Sequence, residues 1–172
     1  MPLEPLPTAE LADAAGFPIA MDARIRPVWR GARLAGRAFT VHTPPGEFQA
    51  MREAAERAPA GAVLVVDGAG DLRRAIWGDK MSAFALDRGL GGLVVDGAVR
   101  DVDGIEGLGF PVFAAGKVPT GPGRDRPGEL DGPLTCGGLQ VRPGDFVYGD
   151  TDGVVVVPHE DHDEIVARIR TS

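Results

Sequence analysis

The segment Leu64-Val65-Val66-Asp67-Gly68-Ala69 returns 29 residues later as Leu93-Val94-Val95-Asp96-Gly97-Ala98. Each copy is a short apolar run closed by an Asp-Gly pair, and reads as a buried strand that stops at a turn. Between the copies, Trp77, Met81, Phe84 and Ala85 mark the inner face of a helix starting near Gly78. Asp79 lies in its first turn and Arg88 in its last, with Gly89 behind, as the helix dipole and C-cap favour. Strand, helix and strand within about 30 residues form a parallel crossover unit, right-handed by the rule for such connections. The fold class is therefore α/β with a central βαβ unit. Two copies are too few for a solenoid.

The flanking pattern extends this unit. Thr8 to Ala15 reads as a short helix with Thr8 as N-cap. Residues 16–33 are irregular, and 35–42 is strand-like, closed by Pro44-Pro45-Gly46. A helix over 47–58 has Phe48, Met51, Ala55 and Ala58 as its apolar stripe. Strands are expected at 62–66, 92–95 and 112–115, and a weak helix at 103–108. Residues 116–133 form a Gly- and Pro-rich loop that carries Lys117, Arg124, Arg126 and Glu129. Loops of that length are usually functional or disordered. Three β pieces follow, at 134–141, 145–149 and 153–157, with turns at Pro143-Gly144-Asp145 and Asp152-Gly153, giving C-terminal β hairpins. Pro158 opens a last helix, acidic early (Glu160, Asp161, Asp163, Glu164) and basic late (Arg168, Arg170). No composition break interrupts 1–172, which reads as one domain.

Several classes of function are disfavoured. The net charge is -7 with no basic run, so no nucleic-acid partner is expected. No apolar run approaches the roughly 20 residues of a membrane span. Met1-Pro2-Leu3-Glu4-Pro5 lacks the basic and apolar regions of a signal peptide. A single cysteine, Cys136, forms no intrachain disulfide, so a reduced, cytoplasmic setting is the default.

In a parallel unit, ligands bind beyond the carboxyl ends of the strands. Gly68-Ala69-Gly70 and Gly97-Ala98 would let a ligand approach the backbone there. The amides of Asp79, Lys80 and Met81 at the helix start form an anion site. Arg100 can grip a carboxylate through two hydrogen bonds. Asp101 can ligate a hard divalent cation, with Asp79 facing the same space. One or two carboxylates completed by water and substrate suit magnesium rather than structural zinc. The plainer alternative is a surface Arg-Asp pair and an acid that only complements a helix dipole. Asp67 and Asp96 read as turn formers, Arg73 and Arg74 as a positive rim or solvated residues, and Cys136 as a small core residue. His42, His159 and His162 lack ligand spacing, and the last two read as solvated helix residues.

Trp77-Gly78-Asp79-Lys80-Met81, Arg88-Gly89 and the run from Gly92 to Arg100-Asp101 resemble the RraA-like family. That family includes 4-hydroxy-4-methyl-2-oxoglutarate aldolases, oxaloacetate decarboxylases and regulators of ribonuclease E activity. The resemblance runs from about Thr8 to Val157, through Leu34-Ala35-Gly36-Arg37-Ala38-Phe39-Thr40, Pro143-Gly144-Asp145 and Asp150-Thr151-Asp152-Gly153. It implies a compact swivelling β/β/α-type domain. It also implies a homotrimer or hexamer with active sites at subunit interfaces. Catalytic members bind pyruvate and a divalent metal, Mg2+ or Mn2+. Carried onto this chain, the start of the helix at Gly78, Asp79, Lys80 and Met81 receives the pyruvate carboxylate on the amides of Lys80 and Met81. Arg100 contacts the same substrate, Asp101 is the direct metal ligand, and Asp79 acts through a metal-bound water.

Two markers separate the family's branches. The catalytic branch has an aspartate 21 residues before the arginine, as Asp79 is here. The regulator branch has glycine there and an acid three residues after the Arg-Asp aspartate, where this chain has Gly104. Longer aldolases carry a C-terminal extension that brings an acid from a neighbouring subunit, and this sequence stops at Ser172, which puts that group in doubt. The expected function is a divalent-metal-dependent lyase that releases pyruvate from a short 2-oxo acid, as aldolase, oxaloacetate decarboxylase or both. The alternative is a non-enzymatic regulator that inhibits a ribonuclease by contact, its acidic surface meeting a basic partner.

Overall fold

The computed structural model describes residues 2–172. In chain order the elements are α1 (Thr8–Ala15), β1 (Arg26–Pro27), β2 (Leu34–His42), α2 (Gln49–Arg57), β3 (Val63–Ala75), α3 (Asp79–Asp87), β4 (Gly92–Val99) and α4 (Val102–Leu108). They continue as β5 (Val112–Lys117), β6 (Glu129–Leu130), β7 (Leu134–Cys136), β8 (Leu139–Val141), β9 (Phe146–Asp150), β10 (Gly153–Val157) and α5 (His162–Arg170). The main sheet has the order β1-β5-β4-β3-β2-β9-β10, with β6 added on β2. Strands β2, β3, β4 and β5 are parallel. Strand β2 joins the two halves: Leu34 to Arg37 pair antiparallel with β9, and Ala38 to His42 pair parallel with β3.

Alternation along the strands divides the interior, because successive side chains point to opposite faces. Leu64, Val66, Leu93 and Val95 pack with Met51, Ala54, Ala85, Ile105 and Phe110 from the helical layer. Val63, Val65 and Val94 pack on the other face with Cys136, Val141, Val147 and Val154. Both faces of the parallel strands are covered, which is why they read as unbroken apolar runs. A third cluster, with Leu11, Tyr148, Val155 and Ile165, seats α1 and α5 on the β9-β10 hairpin.

The Asp-Gly pairs are not turns. Strand β4 runs through Asp96-Gly97 to Val99, buried throughout. Strand β3 continues to Ala75, with its register against β4 slipping between Asp67 and Asp71 and again between Asp71 and Ala75. The slip is taken up at Ala69 and Gly70, both at positive φ. Gly68 is required by proximity, since a Cβ there would fall 2.7 Å from the Asp96 carbonyl oxygen.

Other boundaries shift for local reasons. Thr8 is not the N-cap of α1. Pro7 holds that position, and Asp150 of β9 accepts the Thr8 N–H at 2.9 Å and the Thr8 hydroxyl at 2.7 Å. Residues 134–141 form two strands reversing at Gly137-Gly138, both at positive φ. Pro158 starts a turn rather than α5, which begins at His162.

Candidate functional site

Two backbone links bring the end of β3 beside the end of β4, and a third ties β3 to the loop that follows β5. Ile76 N–H donates to Ala98 O at 3.0 Å, Arg100 N–H to Trp77 O at 3.0 Å, and Ala75 N–H to Thr120 O at 2.8 Å. They set Gly78-Asp79, at the start of α3, against Arg100-Asp101, at the start of α4. A cleft of about 450 Å3 opens there, lined by Asp79, Lys80, Met81, Arg100 and Asp101 together with Phe48, Arg52, Pro122 and Arg124. Gly78 also lines it, so every residue predicted for the site borders one cavity.

Two of these positions are tightly coupled. Asp101 Oδ2 accepts the Asp79 N–H at 3.3 Å, so one of the three predicted anion-binding amides already has a carboxylate on it. Among the described residues, the amides of Lys80 and Met81 have no acceptor. They point outward from the helix start, where the dipole favours an anion. Gly78 is extended, and its missing side chain matters for room: a Cβ would fall 2.5 Å from Asp101 Oδ2. Asp101 adopts φ 60, ψ 39, a left-handed conformation rare for a residue with a side chain. Such backbone persists where surrounding contacts impose it, and clusters at functional sites.

A group the sequence did not single out holds the helix start. Buried Ser82 donates its hydroxyl to Gly78 O at 2.9 Å and accepts the Trp77 Nε1–H at 2.8 Å. Trp77 is thereby anchored directly before Gly78. The 116–133 loop is tied down by hydrogen bonds, which answers to the ordered one of the two outcomes its length allows. Glu47 accepts the N–H groups of Asp125 at 3.0 Å and Arg126 at 3.3 Å, while Phe48 N–H donates to Gly123 O at 3.0 Å. Burial opposes ionisation of Glu47, but these hydrogen bonds and the Arg126 charge outweigh it and hold the carboxyl below its ordinary range. The loop also reaches Arg100, whose guanidinium donates to Pro119 O at 3.3 Å.

The cleft is locally positive in an acidic protein. Arg52, Lys80, Arg100 and Arg124 border it against only Asp79 and Asp101. Arg73 and Arg74 are exposed outside it, and Arg73 pairs with Asp71 at 2.7 Å. Asp79 and Asp101 fit a hard divalent cation. Both are oxygen donors, neither is neutralised by an Arg or Lys within 4.0 Å among the described residues, and the open cleft leaves space for water and ligand. A different trio, Asp145, His159 and Glu160, brings its donor atoms within 4.8 Å of one another. There Asp145 is already engaged by Arg142 N–H at 2.9 Å and His159 N–H at 3.1 Å, with Arg142 also bonded to Glu160 at 2.5 Å. That trio fastens the turn before β9 to the segment before α5.

Other predicted roles divide. Asp67 stays within β3, where its side chain accepts Ala69 N–H at 2.9 Å and also meets His42 at 3.1 Å. Asp96 is instead a buried ion-pair partner of Arg24 that accepts Gly137 N–H at 3.0 Å. Burial works against its charge, yet Arg24 and the Gly137 amide keep its carboxyl below the ordinary range. His162 is buried rather than solvated, stacked on Phe146 with ring centroids 3.5 Å apart and bonded to the Tyr148 hydroxyl at 2.7 Å. Burial lowers its pKa and pushes that of Tyr148 up to about 12. Cys136 is a core residue as expected, its thiol pushed far up by burial.

Fold and cleft together define a mixed α/β protein with Arg100, Asp101, Asp79 and two unengaged amides gathered where its parallel strands end. The chain belongs to the RraA-like family, described as Aldolase/RraA, whose model matches residues 8–156. A relative from Halalkalibacterium halodurans is 34% identical over 96% of this chain and 79% of its own length. One from Thermus thermophilus is 38% identical over 74% of this chain and 77% of its own. Each is named "Putative 4-hydroxy-4-methyl-2-oxoglutarate aldolase". Among solved structures, the RNA-processing inhibitor RraA from Thermus thermophilis superposes with TM-score 0.82 at 33% identity, covering 91% of this chain and 94% of that one.

Proposed function

We propose that the protein is a divalent-metal-dependent lyase that cleaves a carbon–carbon bond in a short 2-oxo acid and releases pyruvate. The observation that carries this reading is the meeting of Arg100, Asp101, Asp79 and the unengaged amides of Lys80 and Met81 on one cleft. Aldolase names among the relatives support the same class of reaction. Asp101 is the residue we assign to the metal, with Asp79 beside it. A bound divalent cation supplies positive charge to the 2-oxo group as electrons move onto it during bond cleavage.

The remaining work falls to the chain. The amides of Lys80 and Met81 receive the carboxylate of the 2-oxo acid, and Arg100 grips the same end of the molecule, fixing its orientation. Donors already in position stabilise the developing charge without reorganising. For an aldol substrate a proton must leave the 4-hydroxyl, and Asp79 is our candidate to accept or relay it. Decarboxylation of oxaloacetate needs no such base, so it is the simpler activity to test.

The experiment is pyruvate release from oxaloacetate with magnesium or manganese, with and without a chelator, corrected for the metal-catalysed background. The reading expects saturable turnover that the chelator abolishes and the metal restores. A second reading, contact inhibition of an RNA-processing enzyme, is supported by the likeness to the solved inhibitor. It requires neither metal nor turnover, so absence of chelator-sensitive pyruvate release together with inhibition of a ribonuclease would select it.

A further inference from the structure

We propose that a second cavity, between the N-terminal segment, β9 and α5, binds a small organic acid with an apolar body, whose carboxylate is held by Arg37 and Arg170. This cavity shares no lining residue with the cleft at Asp79 and Arg100, and the inference does not depend on the lyase reading. Its volume, about 360 Å3, lies in the range of small-molecule sites.

The polar groups of the cavity sort into engaged and free. The Tyr148 hydroxyl meets His162 Nε2 at 2.7 Å, and His162 Nδ1 meets Asp163 at 3.4 Å, so the buried polar atoms are already partnered. Leu3, Leu6 and Val166 add apolar wall. What remains is a pair of exposed arginines. Among the described residues neither has a carboxylate within 4.0 Å, although Glu4 lines the same cavity. Nearby arginines are paired: Arg168, on the same helix as Arg170, with Glu164 at 2.5 Å, and Arg142, before β9, with Glu160 at 2.5 Å. In a chain of net charge -7, two unpaired arginines on one cavity gather positive charge where an anion can be held.

The two arginines come from different layers. The Arg37 guanidinium carbon lies 4.3 Å from the Phe146 ring centroid, and Phe146 stacks on His162 at 3.5 Å. One Arg37 N–H donates to Gly144 O at 3.3 Å, and the five-donor fork leaves others for a planar carboxylate. The Arg37 backbone is fixed in the sheet opposite Phe146 of β9, and at the next residue β2 changes partner to β3. Arg170 comes from the last turn of α5. A carboxylate shared by both would tie α5 to the strand that joins the two halves of the sheet. An apolar body behind it would cover Leu3, Leu6 and Val166 and remove their surface from water. Inorganic phosphate offers the charge without that body, and a neutral aromatic the body without the charge.

The test uses benzoate as probe and Tyr148, the single tyrosine of the chain, as reporter. Carbon-13 labelling of tyrosine gives one set of ring resonances to follow by NMR. Benzoate should shift them and saturate at roughly millimolar concentration, as a small ligand with one charged contact does. Benzyl alcohol, acetate and phosphate should each bind on the order of tenfold more weakly, the first for lack of charge and the others for lack of an apolar body. Arg37→Met and Arg170→Met should each weaken benzoate by on the order of tenfold. Arg170 is exposed at a helix end, so its replacement leaves the fold intact even if that of Arg37 disturbs Phe146. Arg168→Met, which deletes an equal charge outside the cavity, and Arg100→Ala, which alters the other cleft, should leave the Tyr148 response unchanged. The assignment is overturned if benzoate leaves Tyr148 unmoved, if Arg170→Met binds it as wild type does, if Arg168→Met or Arg100→Ala weakens it equally, or if any of the three comparison compounds binds as well as benzoate.

Discussion

Gly104 makes room for Asp79: a Cβ on Gly104 would fall 2.7 Å from Asp79 Oδ2 and 3.0 Å from Asp79 Cβ. Gly104 lies inside α4, where glycine costs a helix roughly 0.5–1 kcal/mol relative to alanine. The position gives up helix stability and gains space for a carboxylate at the cleft. An acid at 104 would add like charge to the collision, so an acid there and Asp79 exclude each other. This gives a physical reason for the two branch markers read from the sequence.

Gly104→Ala therefore displaces the Asp79 side chain without unfolding the protein. Turnover is expected to fall on the order of 10²-fold, the scale of a misplacement of about 1 Å in an active site. In an Asp79→Gly background the same substitution meets no carboxylate and becomes stabilising by roughly 0.5–1 kcal/mol. A double-mutant cycle in melting temperature and kcat/KM measures the coupling. Additive effects in both readouts would remove the spatial argument.

The proposed lyase chemistry puts Asp101 and Arg100 at risk in different ways. Asp101→Ala is expected to abolish metal-dependent turnover and to weaken magnesium binding measured directly by calorimetry. Arg100→Ala should cost about 10²–10³ in rate, the scale of losing one preorganised donor. Its magnesium affinity should stay close to wild type. A rate within a few-fold of wild type in Arg100→Ala would show that the arginine is not a substrate ligand.

Much of this site was legible in the chain because its parts are local. The βαβ unit rests on periodicity and on an apolar run repeated 29 residues apart, and Asp79, Arg100 and Asp101 follow directly from where those elements end. The missed features are long-range. Arg24 and Asp96 are 72 residues apart, and Thr8 and Asp150 are 142 apart, so no spacing rule joins them. Asp67-Gly68 and Asp96-Gly97 read as turns because that dipeptide favours them, but β4 stays paired on both sides past Asp96 and overrides the preference. Arg124 sat in a loop flagged only by its length, and nothing in the sequence put it on the same cleft as Arg100. The burial of His162 depends on Tyr148 and Phe146, which belong to a hairpin packed under α5.

Ser82 is expected to matter more for order than for chemistry. Ser82→Ala leaves the buried Trp77 Nε1–H without an acceptor and removes one of the two hydrogen bonds on Gly78 O, which keeps that from the Ser82 N–H, a cost of about 1–3 kcal/mol. The loosened residue is Gly78, next to Asp101. Denaturant unfolding should show the lower stability, and pyruvate affinity should weaken with it. Ser82→Thr keeps the hydroxyl and should retain most of both.

Acid sensitivity should appear in a window set by His162. Its folded pKa is lowered, chiefly by burial, below the ordinary value of 6.5, with Arg37 pushing the same way and Asp163 opposing. Below the unfolded pKa the unfolded chain binds the proton more readily than the folded one. Stability from neutral His162 is therefore fully present above about pH 6.5 and declines as pH falls toward the lowered folded value. Asp96 acts in a separate, more acidic window, because its depressed carboxyl loses its contribution only below its ordinary 3.8. Urea unfolding at a series of pH values between about 7.5 and 5 should show the decline in wild type. His162→Gln cannot titrate but can still hydrogen-bond to the Tyr148 hydroxyl, so its stability should be lower overall yet nearly flat across that range. An equal slope in the two proteins would mean that another group carries the acid sensitivity.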